Sequence, residues 1–60
     1  MEEYYAVVKN NTIFTESIAE DVEYAKINYL SYLEDFEETT WEKEEKEGAV
    51  VKKITITIID

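Results

Sequence analysis

The sequence predicts an α+β fold in which a small antiparallel sheet, ordered ββαβ or ββαββ, carries one long amphipathic helix on one face. Strand-forming residues dominate both ends of the chain, and a stretch with helical periodicity lies between them. The 60 residues form one small domain, 1–60, which is expected to be only marginally stable. Because the chain has no cysteine and no histidine, disulfides and the usual structural zinc sites are excluded, and packing alone must form the core.

A β-hairpin is predicted for residues 3–15. Two segments rich in aromatic and β-branched residues flank Asn10 and Asn11, and asparagine tolerates the positive φ angles of a two-residue hairpin turn. The register set by this turn pairs Val8 with Ile13 and Val7 with Phe14. Both faces of the hairpin are then apolar, and since one helix cannot cover both, the second face needs later chain or a second subunit.

A long helix is predicted for residues 17–38. The segment from Ser17 to Glu20 fits a capping box, in which the two side chains satisfy free backbone amides at a helix N-terminus. Seven residues at helical spacing form the stripe expected to pack on the sheet, namely Ile18, Val22, Ala25, Tyr29, Tyr32, Leu33 and Phe36. Acidic residues occupy the opposite side, where Tyr24 and Ile27 are apolar exceptions.

Residues 39–47 fit two structures. Thr39 begins a second possible capping box and Gly48 stands where a helix C-terminus is expected, which favours a short helix. As a strand, the same segment would turn at Gly48 and pair Trp41 with Ile54. The apolar partner that Trp41 would gain slightly favours the strand.

A C-terminal strand is predicted for residues 49–59, where Ile54, Ile56 and Ile58 alternate with threonines. This alternation is the clearest strand signal in the chain. The isoleucine face is expected to meet the apolar stripe of the helix.

The charge is concentrated in the middle of the chain. Fifteen acidic residues against six lysines give a net charge of −9, and residues 16–47 hold twelve of the acids and three of the lysines. A field of this sign repels nucleic acid, anionic membranes and phosphorylated substrates, so basic proteins are the expected partners. With no apolar run long enough to span a bilayer and no basic start typical of a signal peptide, a cytoplasmic location is expected.

Catalysis and cofactor binding are not expected. The chain lacks histidine, cysteine and arginine, so the common acid–base, thiol and phosphate-clamping devices are missing. Its one glycine follows the acidic run, so neither a phosphate-binding glycine loop nor an EF-hand calcium loop matches the sequence. We therefore predict no enzyme activity, no catalytic residues, no metal site and no cofactor.

The acidic surface is the candidate functional site. Carboxylates one helical turn apart are about 6 Å apart, comparable with the spacing of phosphates along a DNA strand. Three apolar side chains beside the acids, Tyr24, Ile27 and Trp41, would add the contact that separates a specific partner from any polycation. The predicted partner-binding residues are these three and ten acids, Glu16, Glu20, Glu23, Glu34, Asp35, Glu38, Glu42, Glu44, Glu45 and Glu47.

In its size, its charge, its lack of cysteine and its predicted combination of a sheet with one acidic helix, the chain resembles the small DNA-mimic proteins of bacteriophages. Members of that class block host proteins such as HU-type nucleoid proteins, RNA polymerase, restriction enzymes, CRISPR nucleases or uracil-DNA glycosylase. The resemblance implies a competitive inhibitor that occupies the DNA-binding surface of a basic host protein in the bacterial cytoplasm. No single motif carries it, so no family residue is transferred to this chain.

A second hypothesis assigns the acids to solubility. The protein is then an interaction module or regulator that binds its target through Trp41 and exposed apolar residues. A homodimer is also expected, because a second subunit would cover the second apolar face of the hairpin and, for a mimic, double the charge.

Overall fold

The computed structural model describes residues 2–60; Met1, which belongs to the predicted domain, lies outside the described residues. Within them the elements follow in the order β1 (Glu2–Lys9), β2 (Thr12–Ala19), α1 (Val22–Glu34), α2 (Trp41–Lys46) and β3 (Val50–Ile56). The strands form an antiparallel sheet in the order β2-β1-β3, and α1 packs on it, which confirms the α+β prediction. Over residues 2–60, the helices are too short and too polar to cross a membrane.

The β1–β2 hairpin forms around the predicted turn. Asn10 and Asn11 have φ angles of 53° and 61°, the left-handed conformation that the turn requires and asparagine tolerates. Both predicted cross-strand pairs are present, Val8 with Ile13 and Val7 with Phe14. The second strand, however, runs past the predicted end of the hairpin at residue 15 and stops at Ala19.

A bulge explains why β2 continues. The register shifts beyond the pair of Val7 and Phe14, so that residues 15–18 have only Ala6 opposite them. The buried hydroxyl of Ser17 fills this gap, accepting a 2.8 Å hydrogen bond from the Val7 N–H and donating a 2.6 Å bond to the Phe14 carbonyl. The predicted capping box at Ser17 is therefore wrong, because this hydroxyl satisfies backbone groups of the sheet instead of a helix N-terminus.

Helix α1 is shorter at both ends than the predicted range of 17–38. Asp21 is its N-cap, and the Asp21 carboxylate accepts a 2.8 Å hydrogen bond from the Tyr24 N–H. The last turn carries no basic side chain, while acidic residues crowd the segment 35–38 that follows. Since carboxylates at a helix C-terminus oppose the helix dipole, the helix ends at Glu34.

Only part of the predicted apolar stripe packs in the core. Three of its members do so, namely Ala25, Tyr29 and Leu33. Val22 is 37% exposed and Phe36 is 70% exposed, because the first stands in the opening turn of α1 and the second lies beyond its end. Ile18 lies in β2, outside the helix.

Residues 39–47 adopt the helical alternative. Helix α2 begins after Thr40, whose hydroxyl oxygen accepts a backbone hydrogen bond in the first turn. Gly48 follows the helix with a φ of 105°, the left-handed conformation typical of glycine at a helix C-terminus. The strand pairing of Trp41 with Ile54 is therefore wrong.

The pairing of β3 with β1 determines which β3 side chains face the helices. Val51 lies opposite Val7, and both pack in the core with Tyr29. Because side chains alternate along a strand, Ile54 and Ile56 lie on the other face of the sheet. The prediction that the isoleucine face meets the helix is wrong, since Val51 takes that position.

Strand β3 also ends earlier than predicted, at Ile56 rather than at residue 59. Ile56 lies opposite Glu2, the first residue of β1, so the residues after it have no backbone partner in the described chain. The side chains of Ile58 and Ile59 are 88% and 91% exposed.

Candidate partner-binding surface

The carboxylates of residues 2–60 are exposed with one exception, Glu44. Four of them form ion pairs with lysines, namely Glu3, Glu23, Glu44 and Glu47. The remaining acids have no lysine partner within the part of the chain that the structure describes. Most of the negative charge is therefore accessible and uncompensated.

These acids do not form the helical rows that the sequence predicts. Glu16 lies in β2 and Glu20 lies in the turn before α1, so neither shares a helical row with Glu23. At the other end, Asp35 is the C-cap of α1 and Glu38 follows it. The prediction of carboxylates spaced one helical turn apart along α1 is wrong, because the helix is too short to contain them.

Ten of the exposed acids instead fall into two groups along the chain, one before and within the first turn of α1 and one from its last turn through α2. The N-terminal acidic group consists of Glu16, Glu20, Asp21 and Glu23. The C-terminal acidic group consists of Glu34, Asp35, Glu37, Glu38, Glu42 and Glu45. Since α1 has 13 residues at about 1.5 Å per residue, its two ends are about 20 Å apart.

Exposed apolar side chains lie beside the N-terminal acidic group. Tyr24 is 61% exposed and Ile27 is 53% exposed, as expected from their positions among the acids. With Tyr5 and Val22 they line a shallow groove whose remaining lining residues are Asp21 and Glu23. A groove lined by apolar side chains and two carboxylates fits a lysine or arginine side chain, which has an apolar stem and a cationic head.

Trp41 does not stand free beside the acids. Its ring is partly buried and packs edge-on against Tyr29, with ring centres 6.1 Å apart. The ammonium of Lys26 lies 5.4 Å from the centre of the Trp41 ring, within the range of a cation–π contact. Trp41 therefore belongs to the edge of the core and joins α2 to α1, although the sequence also allowed it to be an exposed anchor.

Glu44 is the one predicted site residue that the fold removes from the surface. It is 1% exposed and accepts three hydrogen bonds, from Tyr29 Oη at 2.7 Å, Thr39 Oγ1 at 2.8 Å and Lys9 Nζ at 3.0 Å. The Lys9 ammonium also pairs with Glu47 at 3.0 Å. Glu44 ties α2 to α1 and to β1, so the prediction that it contacts a partner is wrong.

These contacts shift the titration of the groups that make them. The hydrogen bond from Tyr29, with further bonds from Thr39 and Lys9, lowers the pKa of Glu44 to about 2, against the opposing effect of burial. Burial and the bond to Glu44 raise the pKa of Tyr29 to about 12. The hydrogen bonds to Glu44 and Glu47 raise the pKa of Lys9 above its ordinary value. At neutral pH the cluster is thus a carboxylate held by a phenol and an ammonium.

Sequence reasoning missed this cluster, although two signals for it were present. Lys9 closes an apolar strand, and a tyrosine such as Tyr29 on a buried stripe needs a partner for its hydroxyl. The sequence around Glu44 is typical of a fully solvent-exposed segment, because five of the six residues of α2 are charged. Reasoning from the sequence also did not assign Asp21 or Glu37 to the binding surface.

No family model matches the chain, and no match was found among curated proteins or among solved structures. Within residues 2–60, no cluster of three or more acidic side chains is arranged to hold a metal ion. Function must therefore be argued from the charge and the exposed surface.

Proposed function

We propose that the protein is an acidic inhibitor that binds a basic DNA-binding protein of a bacterial host, in the cytoplasm, and competes with DNA for its binding surface. HU-type nucleoid proteins and RNA polymerase are the candidate targets that the resemblance to phage DNA mimics suggests. One observation carries the proposal: a net charge of −9 on 60 residues, with the carboxylates exposed apart from Glu44 and mostly unpaired in the described chain. A charge of this size exceeds what solubility requires of a small domain and destabilises the fold by self-repulsion.

The arrangement of the acids suggests how a basic partner would be held. The acids at the two ends of α1, about 20 Å apart, would each contact a cluster of lysine or arginine side chains. Tyr24 and Ile27 lie beside the N-terminal acidic group on the exposed side of the helix and would exclude water from that part of the contact. Charge would then set the association rate, and the apolar contact would set the dissociation rate.

The test is displacement of DNA. Labelled duplex DNA is bound to an HU-type protein or another basic host protein, and the acidic protein is titrated in at several salt concentrations. We expect release of DNA at low salt and a progressive loss of competition as salt screens the charges. If no basic DNA-binding protein releases DNA even at low salt, the proposal is wrong.

A second candidate function is supported by the exposed apolar pair alone. The protein would then be an interaction module that binds through Tyr24 and Ile27, with the acids serving solubility. Trp41 is not the anchor of such a module because it packs against Tyr29.

Two sets of variants separate these candidates. The first replaces Glu34, Glu38 and Glu42 with glutamine, which removes charge from exposed positions and preserves side-chain size. The second replaces Tyr24 and Ile27 with serine, which removes the apolar contact and preserves charge. A DNA mimic loses affinity about 100-fold or more in the first set and less in the second, since several charged contacts are removed together; the opposite ranking supports the interaction module.

A further inference from the structure

The face of the sheet opposite the helices is largely apolar, and within residues 2–60 several of its side chains are exposed, although Ala6 at its centre is fully buried. The register aligns four cross-strand pairs of β1 and β3 on this face, Glu2 with Ile56, Tyr4 with Ile54, Ala6 with Lys52, and Val8 with Val50. Ile13 of β2 extends it beside Val8. Ile13 is 51% exposed, Val50 43% and Ile56 42%, so this face presents large apolar side chains to solvent.

This face differs from the acidic surface in its charge. The β1 and β3 residues that form it include one acid, Glu2, and one lysine, Lys52, whose charges cancel. Most acids of the two acidic groups lie at the ends of α1 and on α2, but Glu20, which follows β2, is close enough to Tyr4 to contribute, after Glu2, to the raised pKa of that tyrosine. Two copies of a chain with a net charge of −9 repel each other most where the acids of α1 and α2 face one another, and less across this face.

The positions of Glu2 and Lys52 make the face complementary to itself. Glu2 lies four residues from Ala6 along β1, about 13 Å away, and Lys52 is the cross-strand partner of Ala6. The pair of Tyr4 and Ile54 lies halfway between. Two copies can pack face to face about a two-fold axis that lies between their sheets, over this halfway pair and perpendicular to the strands. Such an axis places Glu2 of one copy over Ala6 of the other, beside Lys52. The symmetry creates the ion pair twice.

The same axis gives the exposed C-terminal residues a contact. Ile58 follows Ile56 by two residues, and it lines a shallow groove together with Glu2 and Ile56. Rotation about the axis brings this end of one copy over the opposite end of the other, where Val8 and Val50 lie. The 88% exposed side chain of Ile58 would then cover the valines of the partner copy.

We propose that the occupant of this face is a second copy of the same chain, packed sheet on sheet about the two-fold axis through Tyr4 and Ile54, with reciprocal ion pairs between Glu2 and Lys52. The acids of α1 and α2 would remain on the outside of the dimer. This dimer forms whether or not the acidic surface binds a basic protein, so its test and the DNA-displacement test fail independently.

The first measurement is the molar mass by sedimentation equilibrium as a function of concentration. We expect a shift from the 7.1 kDa chain toward twice that mass. The face is small, so we expect the midpoint at micromolar concentration, within a range of about 1 to 500 μM. Salt should strengthen the dimer overall by screening the repulsion between the two acidic chains.

Charge reversal at the proposed ion pair provides the decisive test. Lys52→Glu makes the chain more negative by two charges, and Glu2→Lys makes it less negative by two. We expect each single variant to weaken the dimer about 10-fold, because each places like charges opposite one another across the axis. The double variant, Glu2→Lys with Lys52→Glu, should restore the wild-type affinity. Both residues are exposed, so the fold should tolerate the changes.

Glu42→Lys is the matched control, since it changes the net charge as Glu2→Lys does but lies on α2. It should not weaken the dimer. If net charge alone governs association, Glu2→Lys will strengthen the dimer as the control does, and the proposed pairing is wrong. A monomer over the whole concentration range at high salt, or a double variant no stronger than the singles, also overturns the proposal and leaves the face to a different partner.

Discussion

Glu44 and Glu45 are neighbours in α2 but have opposite surroundings. Glu44 is buried and accepts bonds from Tyr29, Thr39 and Lys9, whereas Glu45 is exposed and has no lysine partner in the described chain. The difference extends to the rest of the acidic segment, because Lys9 pairs with Glu44 and Glu47 while Glu42 and Glu45 have no lysine partner in the described chain. A run of acids in a sequence therefore contains two kinds of residue, and only the exposed kind is available to a partner.

The largest expected difference between Glu44 and Glu45 is in how much each contributes to the stability of the fold. Glu44→Ala should lower the free energy of unfolding by about 3 kcal/mol, because it leaves the buried Tyr29 hydroxyl without its acceptor and leaves Lys9 with Glu47 as its one carboxylate partner in the described chain. Urea denaturation followed by circular dichroism measures the change. Glu45→Ala is the control and should stay within about 0.5 kcal/mol of wild type. Equal losses in the two variants would mean that the cluster does not stabilise the fold.

Lowering the pH should gradually remove the contribution of Glu44 to the free energy of unfolding. Its pKa is lowered from 4.5 to about 2 in the folded chain, so its stabilisation is present above pH 4.5 and is lost as the pH falls toward 2. The loss amounts to at most about 3 kcal/mol. Protonation of the exposed acids relieves repulsion over the same range, so the informative quantity is the difference from Glu44→Gln.

The free energy of unfolding of wild type should converge on that of Glu44→Gln as the pH falls from 4.5 to 2. Unfolding curves of both proteins at several pH values measure this convergence. A constant difference across the range would show that Glu44 does not titrate with a lowered pKa.

The smallest expected effect concerns the exposed acids. Raising salt from low to moderate concentration should increase the melting temperature by a few degrees, about 2–5 °C, because it screens repulsion among unpaired carboxylates. Differential scanning calorimetry at several salt concentrations tests this. A decrease in melting temperature with salt would indicate that internal ion pairs such as Lys9 with Glu44 outweigh the repulsion.

The parts of the fold that the sequence predicts correctly depend on local rules. Positive φ at Asn10 and Asn11 sets the hairpin register, and this register follows from residue type alone. The α+β class follows in the same way from alternation at the ends of the chain and helical spacing between them. Gly48 was also correctly placed for a helix C-terminus, although the strand was slightly favoured.

The parts that it misses depend on contacts between distant residues. The Ser17 hydroxyl fits both a helix cap and a sheet bulge, and only the backbone of β1 decides between them. The burial of Glu44 depends on Lys9, 35 residues away in the chain. Which face of the sheet Ile54 occupies depends on the register of β3 with β1. In that register Ala49 and Val51 reach the core and the isoleucines do not.

For the candidate site, sequence reasoning identified most of the exposed acids and the exposure of Tyr24 and Ile27. For Trp41 it left two alternatives open, packing on Ile54 or exposure as an anchor, and both are wrong. The Trp41 ring packs on Tyr29. The spacing argument for DNA mimicry also failed at α1, since a cap at Asp21 shortens the helix. What supports the proposed function is therefore the amount and exposure of the charge.

The central position of β1 has a consequence for the order in which the protein folds. Its partner β3 is the last strand in the sequence, and the pair of Glu2 and Ile56 joins residues at opposite ends of the described chain. During synthesis on the ribosome, β1 can pair with β2 early, but its other edge stays open until residues 50–56 have emerged. Such long-range pairing slows folding relative to a helical protein of this length. We therefore expect the sheet to be completed only after translation of β3, and the nascent hairpin to expose an unpaired β1 edge until then.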